Sequence, residues 1–305
     1  MSNNNNNNLN NHNNHNNISK FHFIVHFHDC SKSDISLIKD FLNDHAIDFS
    51  LIDLNKLRNA DKRVDTIFSK IIRNHNARKT RLGTSCYFKL LTPILNPNVD
   101  KVLYLDTDII FTQDISSLFH ESFGQPFAAI RDKVLQNYSL GFKNFKKFGL
   151  NPSSPYLNGG VLFFYTKEWL KKDFTNHILD HSFPVINELE GGGGGFAADQ
   201  PCINFAANGN WYELHPKWNH PADTFSKDSK IIHFVGNAKP WNTHCHIKYS
   251  KLFFHYLSQT PWKTWMKTEF SKKFQSHRTE VFNHLKSKFQ IKLGGFKNLL
   301  FPSIS

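Results

Sequence analysis

Two carboxylates, Asp106 and Asp108, interrupt an otherwise apolar run over residues 102–111. An unpaired carboxylate is costly to bury, so acidic residues inside an apolar segment are usually paired or bound to a cation. At positions i and i+2 of an extended chain, the two side chains share one face. A bend after Leu105 would present both to one Mg²⁺ or Mn²⁺, ions that oxygen ligands suit. The pair therefore predicts a metal site, although a solvated acidic turn explains the pair alone equally well.

A histidine and a lysine follow a second apolar run, over residues 231–235. An imidazole from His233, added to two carboxylates, would suit Mn²⁺. Gly236 and Lys239 come directly afterwards and could meet phosphate oxygens. The alternative interpretation of His233 is a hydrogen-bonded histidine of the core.

Two further segments place polar residues beside apolar runs. Residues 158–160, Asn-Gly-Gly, come just before an apolar strand pattern, where the backbone can approach a ligand closely. Asn-Gly is also the commonest hairpin turn signal, so this feature alone is weak. Asp199 and Gln200 open a helical pattern with Pro201 at an early position, so Asp199 would also serve as an N-cap.

Alternating strand and helix patterns would position these residues. The order β-α-β-α-β predicts a mostly parallel central sheet flanked by helices on both faces. Ligands of such sheets bind beyond the carboxyl ends of the strands, where Asp106 and Asp108 lie. The predicted strands are 21–28, 47–54, 101–105, 127–130 and 160–164, and the predicted helices are 34–43, 85–95, 115–119 and 200–207.

Composition divides the chain of 305 residues into three parts. Residues 1–19 are almost wholly Asn and His and are predicted to be unfolded, whereas residues 20–262 can form a large α/β domain. The glycines at 191–195 are predicted to form a flexible loop, since no strand–glycine–helix context surrounds them. The four cysteines are scattered, which fits a reducing compartment. Without a recognisable leader or an apolar run of about 18 residues, we expect a soluble, cytoplasmic protein.

The third part, residues 263–305, is a basic tail with nine Lys and Arg against two Glu and with apolar residues at helical spacing. Such a helix can lie on an anionic membrane surface, which would add peripheral membrane contact. The alternative interpretation, which we favour, is a solvated helix whose apolar stripe covers the main core. Nucleic-acid binding would rest on the net charge of +12 alone, so no nucleic-acid partner is expected.

Four motifs resemble the family 8 glycosyltransferases, the group of glycogenin and the bacterial lipopolysaccharide galactosyl- and glucosyltransferases. The resemblance runs from about Phe21 to Trp262. Residues 214–219 also resemble the family's segment that ends in Trp-Asn. A haloacid-dehalogenase phosphatase also carries Asp-x-Asp after a strand, but Ile110 stands where its motif usually continues with Thr or Val. In chain order the motifs are Leu-Tyr-Leu-Asp-Thr-Asp at 103–108, Leu-Asn-Gly-Gly-Val at 157–161, Asp-Gln at 199–200 and His-Phe-Val-Gly-Asn-Ala-Lys-Pro-Trp at 233–241.

The resemblance implies a GT-A (Rossmann-like) fold and retaining transfer of a hexose, from UDP-glucose or UDP-galactose, to a glycan or protein acceptor. It implies that Asp106, Asp108 and His233 hold Mn²⁺, with Mg²⁺ as the alternative, against the diphosphate. Same-face attack is favoured for retention, because the amide of Gln200 is a poor nucleophile. The implied donor-binding residues are Lys89, Thr107, Asn158, Gly159, Gly160, Gly236 and Lys239, and those implied around the transferred sugar are Asp132, Asp199 and Gln200.

Two departures from the family pattern give rise to a rival hypothesis. Lys89 stands where many members have Arg, which keeps the charge but loses a bidentate fork. Residues 21–54 resemble the family's second and third strands, so we expect the first strand to be missing and the nucleoside pocket to be incomplete. If residues 21–28 are instead the first strand, Asp29 would be the acidic residue that holds the uracil. The rival is a catalytically inactive binding or membrane-associated module, and a preceding anchor would place the chain in the Golgi lumen.

Overall fold

The structure is a computed structural model that describes residues 21–78, 83–191 and 199–264, without the side chains of 76–78. The predictions for the Asn-rich tract, for most of the glycine loop and for residues 265–305 of the basic tail lie outside these residues. The chain divides into two compact units, Met1–Ile52 and Asp53–Ser305. Within the described ranges, no helix is both long and apolar enough to cross a membrane.

The first unit confirms the predicted strand, helix and strand. Strand β1 (Phe23–Phe27) and strand β2 (Phe49–Asp53) form a two-stranded sheet, and helix α1 (Lys32–Asp44) connects them. Helix α1 begins after Ser31, whose Oγ accepts a hydrogen bond from the Asp34 N–H at 3.1 Å. This N-cap satisfies one of the free N–H groups at the helix start.

The second unit contains most of the helices and two further sheets. Its α-helices are α2 (Leu54–Ala60), α3 (Lys62–Arg78), α4 (Thr92–Leu95), α5 (Tyr138–Gly141), α6 (Thr166–Lys171), α7 (Phe174–His177), α8 (Phe183–Leu189), α9 (Gln200–Ala207) and α10 (Ile247–Ser258). Its strands are β3 (Lys101–Leu105), β4 (Ile109–Phe111), β5 (Phe127–Arg131), β6 (Leu157–Tyr165), β7 (Tyr212–Glu213), β8 (His220–Pro221) and β9 (Ile231–His233). Short 3₁₀ helices cover Thr84–Leu91, Ser116–His120, Pro216–Trp218 and Pro261–Thr264, and a π-helix covers Ile178–Ser182.

The sheets of the second unit are mixed, so the expectation of a mostly parallel sheet is wrong. In the sheet ordered β3-β6-β5-β7, strand β6 runs antiparallel to both β3 and β5, and only β5 and β7 are parallel. In the sheet ordered β4-β9-β8, β4 is antiparallel to β9. The connection from β5 to β6 carries only the single-turn helix α5 and no long crossover helix. Parallel neighbours need such a crossover, and an apolar run does not encode strand direction.

Strand β6 is the centre of the core because both of its faces are covered. Val161 and Phe163 belong to one apolar cluster, which also includes Ile130 and Trp218. On the other face, the Phe164 ring lies 4.8 Å from that of Trp169, at the start of the helical layer. The strand begins at Leu157, three residues earlier than predicted, so both glycines of the Asn-Gly-Gly segment lie inside it.

Asn204 joins helix α9 to strand β6. Its side chain is fully buried, and its Oδ1 accepts from the Leu157 N–H at 2.8 Å. Its Nδ2 donates to the carbonyl oxygens of Leu157 and Gln200, both at 3.0 Å. The first turn of α9 is thereby held against the beginning of β6.

Replacing Asn204 with leucine is expected to lower the free energy of unfolding by roughly 2–4 kcal/mol, because the N–H and C=O of Leu157 would be left buried without partners. Urea unfolding followed by circular dichroism would measure the loss. The same substitution at Asn210, which is exposed, should change stability by less than about 0.5 kcal/mol. Equal effects at the two positions would contradict the role assigned to Asn204.

Candidate active site

The predicted bend after Leu105 is present and separates β3 from β4. The Asp106 N–H donates to the Gly160 carbonyl oxygen at 2.8 Å, which extends the contact between β3 and β6 by one residue. Thr107 is exposed within the bend. Asp106 and Asp108 therefore leave the end of a half-buried strand together.

The pairing of β4 with β9 brings His233 to this bend across more than a hundred residues of sequence. Ile109 lies opposite His233 in the antiparallel register, and the Phe234 N–H donates to the Asp108 carbonyl oxygen at 2.9 Å. The imidazole is only 5% exposed. The pairing of β9 with β4 thus fixes the backbone position from which the imidazole projects.

Asp106, Asp108 and His233 form a cluster in which one donor atom from each side chain lies within 4.8 Å of the others. His233 Nε2 is 3.2 Å from Asp108 Oδ1 and 3.8 Å from Asp106 Oδ2. Two carboxylate oxygens and one imidazole nitrogen are a set of ligand atoms that fits Mn²⁺. The same set fits Mg²⁺ less well, because Mg²⁺ prefers oxygen ligands. These residues, predicted as metal ligands, therefore do lie together.

The second oxygen of each carboxylate contacts a protein donor. Asp106 Oδ1 accepts from the Tyr104 hydroxyl at 2.8 Å and from Lys89 Nζ at 3.2 Å. Asp108 Oδ2 accepts from Lys239 Nζ at 2.5 Å. Each aspartate consequently turns one oxygen towards His233 and uses the other to hold its orientation.

Asp108 is ionised over the whole physiological range. Burial raises the pKa of this carboxyl, but the hydrogen bonds and charges of His233 and Lys239 outweigh that effect and lower it to about 2. A ligand that is already deprotonated does not have to release a proton before it binds a cation.

Lys89 is a buried cation between two carboxylates. It is 2% exposed, and its Nζ lies 2.8 Å from the Gly159 carbonyl oxygen, 3.2 Å from Asp106 Oδ1 and 2.7 Å from Asp199 Oδ2. The ammonium group donates hydrogen bonds to Gly159 and Asp106, and Asp199 is its buried ion-pair partner. Lys89 was predicted as a donor-binding residue; it contacts residues that line the site, and its role towards a donor stays a prediction.

The ion pair of Lys89 with Asp199 is charged although it is buried. Burial alone would lower the pKa of Lys89, but the charges of Asp199 and Asp106 and the Tyr104 hydroxyl hold it well above its usual range. Burial raises the pKa of Asp199, and Lys89 opposes that rise. We take the pair as ionised, because the Gly159 carbonyl oxygen and Asp106 Oδ1 also surround Lys89 Nζ, at 2.8 and 3.2 Å, and these acceptors favour an ammonium group. Asp199 stands at the N-cap position of α9, yet its side chain makes no capping hydrogen bond.

The other residues predicted around the sugar lie in one hydrogen-bonded group. Asp132 Oδ2 accepts from Asn158 Nδ2 at 3.0 Å and from Gln200 Nε2 at 3.2 Å. Gln200 Oε1 accepts from the Gly159 N–H at 3.0 Å. Asp132 Oδ1 also accepts two backbone N–H groups of the following turn. This group lies along β6, next to the cluster of Asp106, Asp108 and His233.

Two side chains at the site were not among the predicted residues. Tyr104 lies within the apolar run, and only its hydroxyl distinguishes it from the strand's other residues. Asn219 is 7% exposed, and its Oδ1 lies 3.0 Å from His233 Nδ1. The segment that ends in Trp-Asn was the signal for Asn219, but it gave no indication that the side chain would contact His233.

Residues 4–245 match the family model described as "Glycosyl transferase family 8". The chain belongs to this family of glycosyltransferases.

Curated relatives of this glycosyltransferase come from bacteria and animals. General stress protein A of Bacillus subtilis is 25% identical over 212 residues, which cover 62% of this chain and 70% of the relative. Glycosyltransferase 8 domain-containing protein 2 of Mus musculus is 26% identical over 225 residues, covering 63% and 64%. Lipopolysaccharide 1,2-glucosyltransferase of Escherichia coli is 24% identical over 220 residues, covering 66% and 62%. The chain thus spans less than two thirds of the length of the latter two.

Solved glycosyltransferases share the fold. Galactosyltransferase LgtC, solved with donor and acceptor sugar analogues, superposes with a TM-score of 0.56 at 18% identity, covering 79% of this chain and 85% of that one. The bifunctional glycosyltransferase WbbM gives 0.59 at 16% identity, covering 84% and 52%. The expected GT-A fold of the α/β class is confirmed, and at these identities the likeness concerns the fold alone.

The loop after β9 completes the site of this glycosyltransferase. Gly236 is exposed and has a φ of 54°, a left-handed conformation that glycine adopts without strain. The loop then returns so that Lys239 Nζ donates both to Asp108 Oδ2 and to the Phe234 carbonyl oxygen, each at 2.5 Å. Lys239 therefore adds positive charge beside the acidic cluster.

Proposed function

We propose that this family 8 protein transfers glucose or galactose from a UDP-sugar to a glycan or protein acceptor, with retention of configuration and with Mn²⁺. The observation that carries the proposal is the convergence of one possible metal-ligand atom each from Asp106, Asp108 and His233. When bound there, a divalent cation would neutralise charge on the leaving diphosphate. We further propose a cytoplasmic location, with residues 263–305 contacting an anionic membrane.

Lys239 supports the phosphate end of this proposal. Its ammonium group lies beside Asp108. In the chain, Lys239 comes three residues after the exposed Gly236. As the bond between the sugar and UDP breaks, negative charge develops on the leaving diphosphate. A positive charge at this position would stabilise that diphosphate more strongly in the transition state than in the ground state. Lys239 would therefore act on the leaving group.

The contacts of the three residues predicted around the sugar favour same-face attack over a covalent intermediate. Of the three residues predicted around the sugar, Asp199 is paired with Lys89 and Asp132 accepts four hydrogen bonds. The Gln200 amide is neutral and is fixed by the Gly159 N–H. None of the three offers an unengaged carboxylate, which a nucleophile would need. We propose that these groups orient the sugar and that the acceptor proton passes to the leaving phosphate.

Titration of UDP into the purified protein, with and without Mn²⁺, tests the donor site by isothermal titration calorimetry. We expect micromolar binding that requires the metal and that is lost in the Asp106→Ala/Asp108→Ala variant. The variant Asp114→Ala/Asp228→Ala removes two exposed aspartates elsewhere and should bind as the unmodified protein does. Comparison of UDP-glucose with UDP-galactose hydrolysis would then identify the sugar. If UDP at millimolar concentration does not bind, the proposed transferase activity is wrong and the inactive-module hypothesis stands.

A further inference from the structure

A line of hydrogen-bonded side chains connects Asp132, one of the residues predicted around the sugar, to the imidazole of His233. Asp132 Oδ2 accepts from Asn158 Nδ2 at 3.0 Å, and Asn158 Oδ1 accepts from Asn219 Nδ2 at 2.9 Å. Asn219 Oδ1 lies 3.0 Å from His233 Nδ1. Asn158, Asn219 and His233 are 9%, 7% and 5% exposed, so water has little access to replace any of these bonds.

The direction of this line is fixed by groups that cannot exchange donor for acceptor. A carboxylate only accepts, so Asn158 must present its NH₂ group to Asp132. A backbone N–H only donates, and Gly160 N lies 3.1 Å from Asn158 Oδ1, which requires the amide oxygen on that side. Both constraints give the same orientation of the Asn158 amide.

The fixed orientation of Asn158 determines the two groups that follow. Because Asn158 turns its oxygen towards Asn219, Asn219 must turn its NH₂ group towards Asn158. The oxygen of Asn219 then faces the imidazole, and only a protonated Nδ1 can donate to it. His233 must accordingly carry a proton on Nδ1, so that the neutral imidazole has its lone pair on Nε2.

We propose that Asn219 is a positioning residue that transmits the amide orientation of Asn158 to His233 and thereby selects the Nδ1–H tautomer. The importance of this tautomer rests on the proposed function. Nε2 is the atom that faces Asp106 and Asp108, and only its lone pair can bind a cation. With the proton on Nε2, the imidazole would donate to Asp108 Oδ1 instead, at the 3.2 Å separation already present.

The tautomer can be measured without metal or substrate. Long-range ¹H–¹⁵N NMR of protein labelled at histidine distinguishes the two forms, and a His233→Gln sample assigns the signal among 18 histidines. We expect Nδ1–H in the unmodified protein and a shift towards Nε2–H in Asn219→Leu. Asn219→Asp, which still accepts from Nδ1, should retain the Nδ1–H form. Asn158→Leu, which frees the Asn219 amide to rotate, should raise the Nε2–H population without contacting Nδ1.

A matched control separates this effect from a general loss of packing. Asn96 is also buried, at 9% exposed, and its amide donates to the Thr92 carbonyl oxygen. Asn96→Leu should leave the His233 tautomer unchanged. An unchanged tautomer in Asn219→Leu, or Nε2–H in the unmodified protein, would overturn the proposal. If Asn219→Leu does not fold, the Asn158→Leu spectrum decides in the same way.

Metal binding supplies an independent readout. Mn²⁺ titrated in the presence of UDP and followed by electron paramagnetic resonance should bind roughly 10–100-fold more weakly to Asn219→Leu, as is usual when the partner of a ligating histidine is removed. Equal Mn²⁺ affinity of the two proteins would count against the proposal. If the unmodified protein binds no Mn²⁺ while the tautomer shifts as expected, the proposed function fails and the role of Asn219 stands.

Discussion

Replacing Lys89 with methionine is expected to lower the free energy of unfolding by roughly 3–5 kcal/mol, the usual range when one partner of a buried ion pair is removed. Asp199 is only 5% exposed and would lose its positive partner. The Gly159 carbonyl oxygen and Asp106 Oδ1 would lose the same donor. Methionine fills a similar volume, so the loss would reflect charge and hydrogen bonding more than packing.

Urea unfolding of three variants would measure this loss and test its origin. Lys89→Arg keeps the charge and adds a fork that can contact two carboxylates, so it should be less destabilising than Lys89→Met. Removing both partners in Lys89→Met/Asp199→Leu should cost less than Lys89→Met alone, because no buried charge remains unpaired. A loss below about 1 kcal/mol for Lys89→Met would show that the pair contributes little to folding.

The acidic motif illustrates what the sequence could predict. Two carboxylates in an apolar run are conspicuous, because burial makes any unpaired acid costly. The bend after Leu105 and the approach of His233 are both present. Nothing in the sequence, however, shows that one oxygen of each aspartate contacts a lysine. Those contacts depend on Lys89 and Lys239, which come from a 3₁₀ helix and a loop far apart along the chain.

Lys89 shows why residue roles are harder to predict than residue positions. Its resemblance to a donor-binding arginine placed it at the site, and it does lie there. The sequence did not indicate, however, that Lys89 Nζ would lie within 3.2 Å of three protein oxygens, on Asp106, Gly159 and Asp199. Whether a cation contacts a ligand or a neighbouring side chain depends on distances of about an ångström, which residue type and spacing do not determine.

Some helices differ in type or bounds from those predicted, and others were not predicted. A helix was expected over 85–95, but a 3₁₀ helix ends at Leu91 and α4 restarts at Thr92. Pro93 has no N–H to donate within a continuous helix, although it is well tolerated in a first turn. The expected helix at 115–119 is also a 3₁₀ helix. Helices α2 and α3 were not predicted, although Val64, Ile67, Phe68 and Ile71 follow helical spacing along the buried face of α3.

Replacing Gly160 with alanine is expected to weaken Mn²⁺ binding by more than about 100-fold when binding is measured in the presence of UDP. This loss is larger than the roughly 10–100-fold effect of removing a hydrogen-bond partner of a metal ligand. An added Cβ would lie 2.0 Å from His233 Cε1 and 2.5 Å from Nδ1. The backbone of β6 cannot move away easily, because the Gly160 carbonyl oxygen accepts from the Asp106 N–H. The imidazole must therefore move, and it would leave both Asn219 and the acidic cluster.

Gly159 provides the matched control because successive residues of a strand face opposite sides. A Cβ there would lie 3.2 Å from Asp199 Oδ2 and 3.5 Å from Lys89 Nζ, with His233 absent from its three nearest neighbours. Gly159→Ala should consequently keep Mn²⁺ affinity within about threefold, a change below 1 kcal/mol in binding free energy. If both alanines weakened the metal equally, general distortion of β6 would explain the result. A selective effect at Gly160 would support the requirement for a glycine where the imidazole packs against β6.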